Sequence, residues 1–581
     1  MSTGSGPGLA TPSPIWRPVP PSREDLEQAL ASELKLPPVM GRLLLARGVE
    51  SADEARRHLR PLLDRLSDPS VYVDLDRAVV RIQAALRSGE TIFVHGDFDA
   101  DGLCSTALLT RWLRRLGGQI VAFVPHRTEH GYDFGSAGLA CAQAAKAGLV
   151  ITVDCGIVAH DTIAAARAAG LDVIVTDHHT PGPTLPDALA VVNPNRADCP
   201  SPGTYLCGAG VAYTVLRRLL TAEGHDNEAL LADLDLVALA TIADVVPLVG
   251  DNRVLVRYGL RALEATTKPG LRALLRASRV TGRPDASDVG FRLAPRINAI
   301  GRLGDPERAL ALLLTEDAAE AEALVRYADE LNEQRRAEDR RTVDEAAEMV
   351  ATLDPATTWG LVLAGQGWHP GVLGIAAGRL RERLHRPAIL LTYDGDVVRG
   401  SGRSIPEFDL HAALRRCSRW LTRFGGHRQA AGLELPAADL PAFAEAFNAE
   451  AEAELASLPL RPELQPDATI APNEITPETV KLLAYFGPHG AGNPPPLWLG
   501  RDLEVRGEIR EVGQGHLKLQ LGQNGVAHAA IGVGLARRFR PADLQGQRID
   551  ALFEVGFNEW RGRTDVQLTV RDLRPAGQGA P

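Results

Sequence analysis

Lysine is nearly missing from this sequence. Of 63 basic residues five are Lys, leaving 58 Arg. Genome composition accounts for such a bias, so the count alone assigns no Arg to a ligand, although the guanidinium is the better phosphate fork wherever one is needed. Cysteine is sparse and scattered, with six residues at 104, 141, 155, 199, 207 and 417 and no CxxC pair. That argues against a disulfide scaffold and a thiolate zinc site, and it points to the cytoplasm. No apolar run reaches the roughly 18 residues that a membrane span needs. Residues 1–22 are rich in Pro, Gly and Ser and lack the apolar stretch of a signal peptide, so they are expected to be a disordered tail. Excess positive charge is absent too: the net charge is -10, which does not advertise nucleic-acid binding. The local charge of a groove decides that matter, not the sum.

What is present is an ordinary globular composition, 45% hydrophobic and 23% charged over 581 residues, with room for three or four domains. Residues 23–88 have helical spacing. Short apolar runs then alternate with Ala-rich helical runs: "TIFVHGD", "QIVAFVP", "LVITVDCG", "LDVIVTDHH" and "LAVVNP" read as strands. Repeated βα units predict a parallel, doubly wound sheet. Residues 317–353 form one long charged helical pattern, the pattern of a solvated connecting helix. A second α/β set follows, then a Pro-rich linker. Five short alternating strands come last and predict a small β-barrel of the OB type. Among its aromatics, Trp498, Phe539, Phe553, Phe557 and Trp560, some must be core, and none is assigned to a ligand.

Carboxylates and imidazoles gather at four places. They are "HGDFDAD" (His95, Asp97, Asp99, Asp101), "VDCG" (Asp154), "TDHH" (Asp177, His178, His179) and "TIADVV" (Asp244). Strand C-terminal ends share one edge of a parallel sheet, so groups this far apart in sequence can converge. A single Asp at a strand end commonly caps the next helix. Four clusters at four strand or helix ends are not explained that way. Like charges so crowded call for a cation, and carboxylates with imidazoles but no thiolates suit Mn²⁺ or Mg²⁺. The number of ligands suggests two ions.

In this order the four motifs resemble those of the DHH-family phosphoesterases. A more extended resemblance, from about residue 30 to the C-terminus, is to the RecJ-type exonucleases of that family. It is carried by "PHRTEHGY", "APRINAIGRLGDP", "WHPGVLGIAAGRL", "GSGRS", "GGHRQAAG" and "FGPHGAGNPPP". With the tail at 1–22 and the connecting helix over 317–353 read from composition and pattern, the resemblance implies a helical N-terminal part with a DHH catalytic domain over 23–316. It further implies a DHH-associated substrate-binding domain over 354–458, and a linker with an OB-fold over 459–581. It implies processive 5′→3′ hydrolysis of single-stranded DNA to mononucleotides, in DNA repair and recombination. The implied partners are a single-strand-binding protein and a RecQ-type helicase, with the chain a monomer and no membrane involved.

By position, the resemblance implies that Asp99 and Asp154, with His95 as an extra ligand, hold one ion. Asp101, Asp154, His178 and Asp244 hold the other, and Asp154 bridges. Asp97 is either a ligand or a residue that orients one. Asp177 supports the His pair, and His179 faces the scissile phosphate as charge stabiliser or proton donor. Arg127, Arg302 and Ser401 resemble residues that bind a 5′-phosphate, although "GYDFG" follows Arg127 where a shorter "GYG" is expected. Arg403, Gly425, Gly426 and His427 are expected to grip DNA, since glycines let backbone N–H groups approach phosphates closely. Two other readings remain open from sequence: a DHH-family hydrolase of short oligonucleotides or cyclic dinucleotides, and a non-catalytic DNA-binding scaffold. The barrel counts against the first and the intact motifs against the second.

Overall fold

The alternation of apolar runs with Ala-rich runs folds into parallel strands joined by helices. The computed structural model describes residues 11–127, 129–131, 133–200, 205–513, 515–560 and 562–577. The first ten residues of the expected tail, and Tyr132 of "PHRTEHGY", lie outside them. The chain divides into two bodies. One runs from Val19 to Leu331 and resumes at Pro466; the other comprises Asn332–Gln465 with the segment that ends at Pro18.

The tail is ordered where it carries an aromatic. β1 (Ile15–Trp16) belongs to the body of Asn332–Gln465, where Trp16 is buried and Arg17 pairs with Glu463. In the other body, β2 (Thr91–His95), β3 (Gln119–Phe123), β4 (Ala147–Val153), β5 (Asp172–Thr176) and β6 (Ala190–Val192) form one sheet in the order β3-β2-β4-β5-β6. All its pairings are parallel. The continuous apolar runs of β2, β4 and β5 follow from cover on both faces. Ile92, Val94 and Ile151 pack with the helices Leu75–Ser88, Ala100–Arg115 and Gly208–Ala222. Phe93, Val150 and Val173 pack on the opposite face with the helix His160–Ala168.

The long charged pattern is one helix, Ala318–Ala351, and the boundary between the two bodies falls within it. Beyond it lies a mixed sheet: β7 (Leu361–Gly365), β8 (Ala388–Asp394), β9 (Val397–Arg403), β10 (Arg423–Gly426) and β11 (Ala430–Pro436), in the order β10-β11-β9-β8-β7. Only β7 and β8 run parallel. The stretch "LHAALRRCSRWLTRFGGH" belongs to the second α/β set and opens on the helix Leu410–Arg416. The structure ends that helix at Arg416 and places "RFGG" on β10, because two glycines disfavour a helix and suit close strand pairing. β12 (Glu463–Leu464) pairs in parallel with β1.

Back in the first body, β13 (Ala468–Thr469) leads into β14 (Trp498–Val512), β15 (His516–Gln523), β16 (Val526–Gly532), β17 (Arg548–Trp560) and β18 (Arg563–Pro575). Pairing of β14 with β17 closes the last five into the expected barrel. Trp498 and Phe553 are core there. The barrel core also contains Val39, Met40, Leu43 and Leu44 of the helix Pro38–Ala46. The apolar face of that N-terminal helix is thus buried against strands made some 450 residues later, within the same body.

Candidate metal centre

β2, β4 and β5 end side by side, and each end delivers part of one cluster. After β2 the chain turns into the helix Ala100–Arg115, and Asp99 caps it by accepting from the Asp101 and Gly102 N–H groups. The capping role and a ligand role therefore coexist: one Asp99 oxygen takes both bonds. Asp101 lies two residues on, within the first turn of that helix. Its two oxygens accept from the Gly208 and Ala209 N–H groups at 2.7 and 2.8 Å, at the start of the helix Gly208–Ala222. Asp154 follows β4 with φ +61°, in the left-handed region, and Gly208 makes room for it; a Cβ at Gly208 would lie 2.6 Å from the Asp154 Cβ. His178 and His179 follow β5, and Asp244 ends the helix Leu234–Ala243.

Three overlapping groups result. Ligand atoms of Asp97, Asp99 and Asp154 lie within 4.8 Å of one another, as do those of Asp101, His178 and Asp244 and those of Asp154, His178 and His179. The His178 Nε2 atom is 3.0 Å from Asp154 Oδ1, 3.6 Å from Asp244 Oδ2 and 3.7 Å from Asp101 Oδ2. Asp154 is common to two groups. Asp97, whose task the sequence left open, falls among the ligand atoms, and its buried Oδ1 has no hydrogen-bond partner among the described residues.

His95 is not in any of these groups. It is fully buried, with its ring edge-on to Phe134 at 5.1 Å and its Nδ1 atom 3.6 Å from Cys155 Sγ. A Cβ at Gly138 would lie 2.6 Å from its Nε2. As the last residue of β2, two positions before Asp97, it is turned into an aromatic pocket. Burial drives it down to about 3, so it is neutral.

The electrostatics call for a cation. Burial first, and then the charges of Asp101, Asp99, Asp244 and Asp97, raise Asp154 well above the ordinary carboxylate range. Asp97 is raised the same way by burial and Asp99, and Asp244 is pushed up to about 8 by burial and Asp101. A divalent ion inverts that cost. Asp177 behaves differently. It is buried, yet its carboxylate accepts from the N–H groups of His178, His179 and Ile157 and from the His179 ring. Burial opposes its ionisation, but the His179 bond wins and lowers it. In turn, burial opposes a charged His179, but its bond to Asp177 and the nearby carboxylates raise it to about 9.

Comparison with known proteins gives the same answer. Residues 91–241 match the DHH family, N-terminal domain; 357–453 match the DHHA1 domain; 466–572 match the RecJ OB domain. The chain is 36% identical over 559 residues to the single-stranded-DNA-specific exonuclease RecJ of Bacillus subtilis (strain 168), covering 94% of this chain and 69% of that one. It is 37% identical over 578 residues to RecJ of Escherichia coli (strain K12), covering 95% and 98%. The chain belongs to the RecJ family. Among solved structures, RecJ from Thermus thermophilus in complex with Mn²⁺ superposes with a TM-score of 0.82 at 34% identity, covering 97% of this chain and 79% of that one. The same RecJ in complex with Mg²⁺ superposes with a TM-score of 0.77 at 32% identity, covering 97% and 78%.

The remaining RecJ-like motifs divide between the two bodies. Arg127 lies over the Phe98 ring, 5.4 Å from its centroid, and its charge acts on Asp97. Arg302, in the last turn of the helix Ala294–Leu303, acts on Asp99. Two guanidinium groups thus flank the HGDFDAD loop. In the DHHA1 body, "GSGRS" is not a turn. Gly400, Ser401, Gly402 and Arg403 lie on β9, and a Cβ at Gly400 would lie 1.9 Å from the Leu390 carbonyl oxygen. Register aligns Ser401 with Gly432 on β11 and Gly432 with Gly425 on β10, and the next row aligns Gly402, Ala431 and Gly426. His427 follows in the β10–β11 turn.

Sequence reasoning missed the residues that hold the motifs in place. Asn298 accepts from the Ala100 N–H at 2.8 Å, and Gly301 sits where a Cβ would lie 1.9 Å from the Phe98 carbonyl oxygen; together they seat "APRINAIGRLG" on the HGDFDAD loop. Asp133, in the unusual "GYDFG", accepts from the Gly156 N–H at 2.6 Å and ties that loop to "VDCG". Asn193 and Asn195, beyond β6, donate to the His179 and His178 carbonyls. Strand-end position was the only available signal for the two asparagines.

Proposed function

We propose that this chain hydrolyses phosphodiester bonds of single-stranded DNA processively from the 5′ end, releasing mononucleotides, with two Mn²⁺ or Mg²⁺ ions. The observation that carries the reading is the sharing of Asp154 between a group built on "HGDFDAD" and one built on "TDHH". Asp97, Asp99 and Asp154 would hold one ion; Asp101, Asp154, His178 and Asp244 the other. When bound, such a pair activates water and offsets charge on the phosphate from both sides. The protein's own groups do the rest. Asp177 accepts from His179 Nδ1 and orients its ring, from which Nε2 would donate to a phosphate oxygen or to the leaving oxygen. Arg127 and Arg302 form a two-sided fork for a 5′-terminal phosphate. Ser401, Arg403 and His427, with the N–H groups around Gly425 and Gly426, contact the backbone of the strand.

The setting we infer is cytoplasmic DNA repair and recombination, with the chain a monomer and a single-strand-binding protein and a RecQ-type helicase as partners. Among the described residues no helix is long and apolar enough to cross a membrane. Digestion of a single strand labelled at either end, with and without a 5′-phosphate, in Mn²⁺, Mg²⁺ and EDTA tests the reading. Early release of the 5′ label that depends on a metal supports it; early release of the 3′ label, or internal cuts, refutes it.

A further inference from the structure

A cavity of about 1130 Å³ opens beside the metal centre, within the body that carries it. Ile242, Ala243 and Val245, which flank Asp244, form one wall together with Asn298; Glu554 of β17 and Arg571 of β18 lie on the barrel side. Four arginines line it: Arg571 pairs with Glu554, whereas Arg257, Arg261 and Arg283 have no carboxylate partner among the described residues. Burial and the charges of its two neighbours hold Arg257 below the ordinary guanidinium value. Asp285 also lines the cavity, but its carboxylate caps the short helix Ala286–Asp288. Arg257 donates to the Leu59 carbonyl and Arg261 lies over the Tyr258 ring, so these arginines are held in place at the cavity with no carboxylate offsetting their charge.

The same space holds apolar side chains that a soluble surface does not normally display. Phe291 and Val245 are the two most exposed large hydrophobic residues among those described, at 75% and 69%, and both line this cavity. Phe291 sits on a π-helical turn, Val289–Leu293, and Val245 has φ +59°, a strained conformation for a β-branched residue. Tyr485, from the segment before "FGPHGAGN", adds a second half-exposed ring. Flat rings beside arginines whose charge no carboxylate offsets match a single-stranded polynucleotide, whose bases stack while its phosphates bind guanidinium groups.

We propose that Phe291 is a positioning residue on which a base of the strand stacks beyond the scissile bond, with Tyr485 as a second platform and Arg257, Arg261 and Arg283 holding the intervening phosphates. This rests on the reading of the substrate as single-stranded DNA and adds where the strand lies and what a minimum length means. Substrates too short to reach Phe291 gain nothing from it.

The test uses the full chain and 5′-phosphorylated oligothymidylates of 3, 6, 12 and 24 nucleotides. Binding of the 24-mer is measured in EDTA, where nothing is cut, and KM and kcat are measured in Mn²⁺. Phe291→Ala is expected to weaken 24-mer binding and raise its KM about tenfold, with the effect growing along the length series and kcat little changed. Phe291→Trp restores both. Arg283→Gln lowers the salt slope of 24-mer binding by about 0.7. Val80→Ala, an exposed residue on the helix Leu75–Ser88, serves as the control and changes neither. Equal 24-mer binding by Phe291→Ala and wild type, or an equal KM rise at all four lengths, overturns the proposal. A wild-type chain that binds the 24-mer through Phe291 but leaves it uncut overturns the catalytic reading instead.

Discussion

Asp154 is constrained in backbone and side chain together. Its left-handed φ aims a buried carboxylate into two ligand groups, and Gly208 leaves the space for it. Asp154→Ala is expected to lower hydrolysis at least about 10³-fold, since it removes the shared ligand. It should not lower the melting temperature in EDTA, because the lost carboxylate is one that burial and four neighbours disfavour. Retention of wild-type rate would overturn its assignment. For His179→Gln a roughly 10²–10³-fold loss of kcat is expected with Mn²⁺ affinity preserved. Isothermal titration alongside single-turnover kinetics checks that split; a parallel loss of Mn²⁺ binding would make His179 a ligand, as its place in one of the three groups allows.

At the scale of elements, the centre depends on where helices begin. The N-terminus of Gly208–Ala222 donates two N–H groups to Asp101 while its first glycine packs on Asp154. Gly208→Ala should therefore weaken Mn²⁺ binding roughly 10–100-fold, the usual cost of disturbing a ligand's support, with the fold intact by circular dichroism. Unchanged affinity would show that the helix can retreat at no cost. The strands, the long helix and the barrel were legible because each repeats one periodicity over enough residues to be distinctive. The acidic clusters were legible because like charges at strand ends need a reason. His95 lies outside the three groups, against Phe134 at the end of β2, and alternation along an extended segment does not encode how a strand end turns a side chain. Asn298, Asp133 and Asn193 carry no pattern of their own; each is one polar residue whose meaning lies in the N–H or carbonyl it meets. The alignment of Ser401 with Gly425 depends on strand register across β11, which spacing along the chain does not encode.

At the scale of the molecule, the clustered carboxylates couple metal to pH. Asp97, Asp99, Asp154 and Asp244 titrate above their ordinary values in the folded chain, so it keeps protons that the unfolded chain gives up. Their contribution to the stability of the metal-free protein is thus fullest below about pH 4 and is lost as pH rises through the folded values, up to about 8 for Asp244. Mn²⁺ replaces those protons. The gain in melting temperature on adding Mn²⁺ should be small at pH 5 and larger at pH 8, and at 100 times its dissociation constant the ion contributes about 2.7 kcal/mol. Scanning calorimetry at both pH values checks this; an equal gain at each would mean that the cluster is ionised throughout.

The body with the metal centre is interrupted. It is left at Leu331 and rejoined at Pro466, and the helix Pro38–Ala46 shares its core with β14–β18. Translation therefore exposes Val39, Met40, Leu43 and Leu44 long before Trp498, Leu517 and Phe553 exist to cover them. At typical synthesis rates of about 5–20 residues per second, the delay is on the order of a minute. Every newly made copy passes that interval with an apolar helix face open on the ribosome, the condition that attracts a chaperone or, failing one, a protease.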